Sequence, residues 1–294
     1  SGGSSVVTTD EGNIPGMGSQ HETSATQPFG AATDGSFKME LHGADATVTI
    51  GGTELKVENG KLYHNGVEVT ADAAVSVPGG AHGTLTVTGM DADGTVHYTY
   101  TLTAPVDATG NASNRPGEGD AGRGEAVHAD AFDVTITTTG GTATGQITVD
   151  ALDDAPVLST LDTTQTTVAD GEAALTGTLS FTPGADAEGA QVTVEVEGQT
   201  FTGTKANGEW TFMGGSDGSS FQLNGTAFTY TRPSSNTTDG RNDTIILKVT
   251  VTDGDGDTAE QSVTVNTVAG PLFNDAPSGG SSVVTTDEGN IPGM

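Results

Sequence analysis

The chain has 294 residues, with 39 Asp plus Glu against 9 Lys plus Arg and a formal charge of −30. That excess excludes nucleic acid as a partner, because phosphates need Lys and Arg to neutralise them, and it disfavours anionic membrane surfaces for the same reason. Cysteine is absent, so stability has to come from ordinary cores, from metal, or from both.

No apolar run approaches the roughly 18 residues that would insert in a bilayer, and no signal peptide is visible, so an export address is expected outside this stretch. The length suits about two domains. Ser1 to Met17, SGGSSVVTTDEGNIPGM, returns without a substitution as Ser278 to Met294, an offset of 277 residues. This identity reads as one period of a tandem array plus the opening of the next copy.

Val6-Val7-Thr8-Thr9 form an opening strand, followed by an acidic turn at Asp10-Glu11-Gly12-Asn13 and a breaker at Ile14-Pro15-Gly16. A Gly, Ser, Thr and Ala connection covers 18–35. Phe37, Met39 and Leu41 then alternate with polar residues, and Val48 and Ile50 lead into Gly51-Gly52. Asn59-Gly60 and Asn65-Gly66 are hairpin turns in a small meander through Leu55, Val57, Leu62, Val67 and Val69. Leu85 and Val87, the Asp93-Gly94 turn, and Val96, Tyr98, Tyr100 and Leu102 make the clearest hairpin. The polar stretch 105–130 is long enough to be functional or mobile. Phe132, Val134 and Ile136, the Gly140-Gly141 turn, and Ile147 with Val149 close the first domain. Asp150-Ala151-Leu152-Asp153-Asp154-Ala155-Pro156 reads as a linker, since Pro156 cannot donate to a sheet and carboxylates resist burial.

The second half repeats the plan. Leu161 and Val168 belong to its opening strand, and Leu179, Phe181, Val192, Val194 and Val196 follow. Phe201, Trp210, Phe212, Phe221, Leu223, Phe228 and Tyr230 supply an aromatic core. The last hairpin runs from Ile245 to Val251, through Asp253-Gly254-Asp255-Gly256-Asp257, to Val263 and Val265. Asn274-Asp275-Ala276-Pro277 echoes Asp153-Asp154-Ala155-Pro156. The closing hairpins superpose, Ile147-Thr148-Val149 on Val263-Thr264-Val265. The expected fold is therefore all-β, two tandem immunoglobulin-like (cadherin-like) β-sandwich domains at 1–155 and 156–277, with 278–294 starting the next copy.

In such a sandwich the turn of the closing hairpin returns to the end at which the chain arrives. Asp253, Asp255 and Asp257 are then expected beside a linker carrying Asp150, Asp153 and Asp154, with the 105–130 loop hanging from the same junction. Two like charges about 5 Å apart at an effective dielectric near 20 repel by roughly 3 kcal/mol. Several such pairs need a cation. Oxygen-only ligands at flexible spacing point to calcium, which takes six to eight oxygens, over zinc or copper. An EF-hand loop is rejected: Thr258 stands where its glycine belongs and Thr264 where its bidentate glutamate belongs. At a second junction Asn274 and Asp275 are joined by Asp239, Asn242 and Asp243, with Asp287 or Glu288 of the next copy. Asp91 and Asp93 read as turn residues. The six histidines show no ligand spacing, no serine sits in a nucleophile elbow, and there is no phosphate-binding glycine loop, so no enzyme is expected.

Gly83-Thr84-Leu85-Thr86-Val87, Asp91-Ala92-Asp93-Gly94-Thr95 with Tyr98-Thr99-Tyr100, Phe132, and Ile147-Thr148-Val149 with Asp153-Asp154-Ala155-Pro156 resemble the VCBS-like and type I secretion target repeats of giant bacterial adhesins of the RTX class. Val251-Thr252-Asp253-Gly254-Asp255-Gly256-Asp257 is similar to the calcium-binding extender repeats of the same proteins. The resemblance implies a non-catalytic extender, secreted to the bacterial cell surface or a biofilm matrix. Its partners are neighbouring repeats of the same chain, and calcium stiffens the junctions. Gly140-Gly141 departs from that pattern. Two other readings stand beside it. One is a self-associating filament subunit whose terminal strand completes a neighbour's sheet; the other is a carbohydrate-binding accessory module.

Overall fold

A computed structural model describes residues 4–19, 30–106, 125–169, 173–233 and 244–268. Among these the protein is all β, two tandem immunoglobulin-like sandwiches, and the only helical element is a 3-10 turn at Glu11–Asn13. The repeated segment 278–294 lies outside the described residues.

The first half contributes β1 (Ser4–Asp10), β2 (Ala32–Lys38), β3 (Ala46–Ile50), β4 (Thr53–Glu58), β5 (Lys61–His64), β6 (Val67–Glu68), β7 (Val75–Val77), β8 (Gly83–Met90), β9 (Thr95–Leu102), β10 (Glu125–Thr138) and β11 (Gly141–Leu152). They make a seven-stranded sheet in the order β1-β11-β10-β3-β4-β5-β6, facing a four-stranded sheet β2-β9-β8-β7. Period-two patterning sets which face is buried: in β9, Val96, Tyr98, Tyr100 and Leu102 all point into the core. Tyr100 meets Phe132 of the opposite sheet edge-on, with centroids 6.3 Å apart. Asn59 and Asn65 adopt positive φ (52° and 50°), as the two-residue hairpin turns read from the sequence require.

The second half contributes β12 (Val157–Thr163), β13 (Thr167–Ala169), β14 (Ala174–Thr182), β15 (Gln191–Val196), β16 (Gln199–Ala206), β17 (Glu209–Gly214), β18 (Ser220–Asn224), β19 (Ala227–Thr231), β20 (Thr244–Thr252) and β21 (Thr258–Val268). Its sheets are β13-β21-β20-β15-β16-β17 and β12-β14-β19-β18. Phe201, Phe221, Phe228 and Tyr230 fill the space between them, with Phe201 edge-on to Tyr230 at 5.9 Å.

One expectation needs correcting. Leu161 and Val168 do not share an opening strand: β12 pairs antiparallel with β14, and β13 pairs parallel with β21. The chain crosses between sheets at Thr164-Gln165, where Thr164 N–H donates to Thr176 O at 2.9 Å and Gln165 Oε1 accepts Thr176 N–H at 3.1 Å. Among the described residues the first sandwich has only the parallel partner. There β1 runs beside β11 from Ser4 opposite Gln146 to Asp10 opposite Leu152. The two strands finish together, which delivers the 3-10 turn and the start of the linker to one place.

Candidate metal centre at the linker

Four chain segments meet where the first sandwich hands over to the second. The end of β1 brings Asp10 and Glu11. Asp10 caps the 3-10 turn, its Oδ1 accepting Gly12 N–H at 2.9 Å, and this directs Glu11 inward, where it is fully buried. One Glu11 oxygen accepts the backbone N–H of Val106, so the chain entering the 105–130 stretch does reach this junction. Residues 107–124 lie outside the described residues.

The linker brings Asp153 and Asp154, both almost completely buried (2 % and 1 % exposed). The expectation that linker carboxylates stay in water is therefore overturned. For Asp154 the reason is hydrogen bonding. Its carboxylate accepts Ser19 N–H at 2.7 Å and the Ser19 hydroxyl at 2.5 Å from the first half, and Ala185 N–H at 3.0 Å from the second. Gly184 makes this approach possible: its φ is +84°, and a Cβ there would sit 2.8 Å from Asp154 Oδ2.

The β14–β15 loop brings Asp186, whose carbonyl accepts Gly254 N–H at 2.7 Å, and the β20–β21 turn brings Asp253, Asp255 and Asp257. Within that turn Asp253 Oδ1 accepts the N–H groups of Gly256 (3.0 Å) and Asp257 (2.7 Å). The fold of the turn is thus set by Asp253, leaving other oxygens facing the linker.

The ligand atoms fall into two groups. Oxygens of Glu11, Asp153 and Asp186 lie within 4.8 Å of one another, as do those of Asp253, Asp255 and Asp257. Glu11 Oε2, Asp153 Oδ1, Asp253 Oδ2, Asp255 Oδ1 and Asp257 Oδ2 are buried and accept no hydrogen bond. Burial, then repulsion from Asp153 and Asp186, pushes the Glu11 carboxyl up to about 10. Burial, then repulsion from Asp255 and Asp257, pushes Asp153 up to about 9. Asp253 is raised by burial and by its contact with Asp255, and Asp257 rises to about 6 through burial and the Asp255 charge. Asp153 feels both groups and links them electrostatically. A multivalent cation reverses all these shifts at once, because its charge favours the ionised carboxylates.

Of the residues read from the sequence, Asp153, Asp253, Asp255 and Asp257 come together. Asp150 stays in the β11 ladder opposite Thr8 and belongs to neither group. Asp154 is committed to hydrogen bonds. Asn274, Asp275, Asp239, Asn242, Asp243, Asp287 and Glu288 lie outside the described residues. The copies of the last two in the first repeat, Asp10 and Glu11, stand at the internal junction and not at the start of their sandwich. Asp91 bonds His97 and Asp93 bonds Lys38 on the surface, as turn residues. Sequence reasoning missed Glu11 and Asp186. The signal for Asp186 was there: Gly184-Ala185-Asp186-Ala187 repeats Gly43-Ala44-Asp45-Ala46 at the same place in each half.

No family model matches the chain, and no curated protein matches it. Among solved structures it is similar to titin Ig tandem domains at 11% identity, covering 89% of this chain and 92% of that one, with a TM-score of 0.25. It is also similar to a Ca2+-stabilized adhesin by which an Antarctic bacterium binds ice, at 16% identity, covering 91% and 74%, with a TM-score of 0.25. A third likeness, to a cis-dimer of protocadherin gammaB7, has 11% identity, 90% and 45% coverage and a TM-score of 0.26.

Proposed function

We propose that the chain is a non-catalytic extender repeat of a secreted, surface-anchored bacterial adhesin or biofilm matrix protein, of the VCBS-like, RTX-class kind its motifs resemble, and that calcium fixes the angle between its domains. The domain boundaries in this reading fall at 155/156 and at 277/278, with the linker as the joint. The observation that carries it is the burial, across one linker, of carboxylate oxygens from both sandwiches with no donor to meet them.

Without a cation this arrangement is costly. An uncompensated buried carboxylate has to take up a proton or be re-exposed, and a whole domain is stable by only about 5–15 kcal/mol. With a cation the same oxygens become ligands. They are all hard oxygen donors, several are close enough to share an ion, and no sulfur or imidazole is among them, which favours calcium over transition metals. Glu11, Asp153 and Asp186 would hold it on the buried side, and Asp253, Asp255 and Asp257 on the side of the turn. Bound there, calcium ties the end of β1, the linker and the turn before β21 into one unit, so a jointed chain becomes a rod. The work is mechanical: to project whatever the adhesin carries away from the cell, outside the membrane.

Small-angle scattering and thermal melts of the chain in calcium and in chelator test this. At calcium a hundredfold above its dissociation constant, stability rises by about 2.7 kcal/mol per ion, and the maximum dimension sharpens. A maximum dimension and melting temperature both indifferent to calcium would sink the reading.

A further inference from the structure

Asp153 and Asp154 are neighbours in the linker and both are buried, yet only Asp153 keeps an oxygen that accepts nothing. Both oxygens of Asp154 are taken. Oδ1 accepts the Ser19 hydroxyl, and Oδ2 accepts the N–H groups of Ser19 and Ala185. These donors come from the two sandwiches on either side of the linker.

What the donors are attached to gives the contact its reach. Ser19 follows Gly18, whose N–H donates to Ile14 O at 3.0 Å, and Ile14 N–H donates in turn to Glu11 O at 2.9 Å. A Cβ on Gly18 would overlap the carbonyls of Glu11 and Gly12, so the Gly18 backbone lies directly on the turn that aims Glu11. On the other side Ala185 precedes Asp186, whose carbonyl accepts Gly254 N–H at 2.7 Å where the Asp253–Asp257 turn begins. Asp153 is the next residue along the chain. One carboxylate therefore connects every segment that carries an oxygen of the two groups.

We propose that Asp154 is the positioning residue of this junction, a latch that holds the carboxylates of the two sandwiches facing one another without itself ligating the ion. The proposal rests on the calcium reading above and adds to it how the ligands are assembled. The latch works against repulsion among the ligand carboxylates, so without an ion the joint opens and closes. Calcium meets a complete ligand set only in the closed arrangement. Its apparent affinity is then the intrinsic affinity multiplied by the fraction of molecules that are closed.

Asparagine separates a latch from a ligand. In Asp154→Asn the side-chain carbonyl still accepts the Ser19 and Ala185 N–H groups and the amide donates to the Ser19 hydroxyl, but no charge is offered to an ion. The chain, Asp154→Asn and Asp154→Ala are compared by calcium titration calorimetry and by amide hydrogen exchange in chelator. Asp154→Ala is expected to bind calcium about tenfold more weakly, and its Ser19 and Ala185 amides to exchange about tenfold faster in chelator. Asp154→Asn stays within about threefold of the unchanged chain on both readouts. Gly184→Ala opens the latch from the other side, because its Cβ would press on Asp154 Oδ2 at 2.8 Å while every carboxylate stays in place. It moves both readouts in the direction of Asp154→Ala, and it carries the comparison if Asp154→Ala does not fold. Equal loss of calcium affinity in Asp154→Asn and Asp154→Ala would overturn the proposal, since the carboxylate would then be a ligand. Unchanged exchange at Ser19 and Ala185 in Asp154→Ala would overturn it as well. If the unchanged chain takes up no calcium, the reading of the junction as a calcium site fails, and the exchange rates in chelator still decide whether the latch exists.

Discussion

Asp130 in the first sandwich is 5 % exposed, and its carboxylate accepts N–H groups from Ala81 (2.7 Å), His82 (3.2 Å) and Gly83 (3.1 Å) and the hydroxyl of Tyr100. Glu197 in the second sandwich is likewise met by Arg232 at 2.8 Å and by the Tyr230 hydroxyl. Glu11 and Asp153 are buried as deeply, yet each keeps an oxygen that accepts nothing and faces other carboxylates. A buried carboxylate needs donors or a cation. Asp130 carries its donors in the fold and is a permanent part of it. The linker cluster keeps oxygens without such donors, and in the proposed reading a cation from solution takes that role, which would make the junction conditional where the core is not.

The sharpest way to break this contrast is Asp130→Ala. It strands three N–H groups and a hydroxyl, and is expected to cost about 3 kcal/mol or more, equally in calcium and in chelator, as read by denaturant melts. A calcium-dependent cost would erase the distinction. Glu11→Gln and Asp153→Asn should behave in the opposite way. In calcium they lose the linkage stabilisation, about 1–3 kcal/mol. In chelator they remove the need to take up a proton on folding and are neutral or stabilising by about 1 kcal/mol. The change of sign between the two buffers is the measurement.

pH supplies a milder version of the same test. Glu11 and Asp153 have folded values raised to about 10 and about 9, so the folded state holds protons that the unfolded chain has released. Their contribution in chelator is complete below the unfolded value near 4 and is lost as pH rises toward 9–10, at most about 1.4 kcal/mol per unit for each group. Melting temperature in chelator should therefore fall between pH 5 and 9. In calcium the trend flattens over that range, because the ion takes the place of the protons.

The fold was legible where period-two patterning and Asn-Gly or Asp-Gly turns coincide, as in β9, in the β4–β5 and β5–β6 hairpins and in β20–β21. It was less so where tertiary pairing decides, as in the split of the second opening strand between two sheets. The Asp253–Asp257 turn and Asp153 announced themselves by acid density. Glu11 did not, because an Asp-Glu turn after a strand gives no local sign that β1 and β11 run parallel and end together. Asp186 was hidden for a similar reason: only the recurrence of Gly-Ala-Asp-Ala, compared across the two halves, marks its position.

Adjacency in sequence also misled at Asp150, and the smallest prediction turns on it. Asp150, Asp153 and Asp154 read as one acidic linker, but three different constraints divide them. Asp150 is still in the β11 ladder, with its carbonyl accepting the Thr9 hydroxyl at 3.2 Å. Asp153 has left the ladder and turned into the cluster, and Asp154 is taken up by Ser19 and Ala185. Calcium titration calorimetry of Asp150→Asn should therefore give an affinity within about threefold of the unchanged chain, some 0.6 kcal/mol, while Asp153→Asn shifts it by about tenfold or more. A tenfold loss in Asp150→Asn would mean that the ion also draws on the end of the strand. The boundary between a core that is always satisfied and the proposed cation-dependent junction would then lie inside β11 and not at its end.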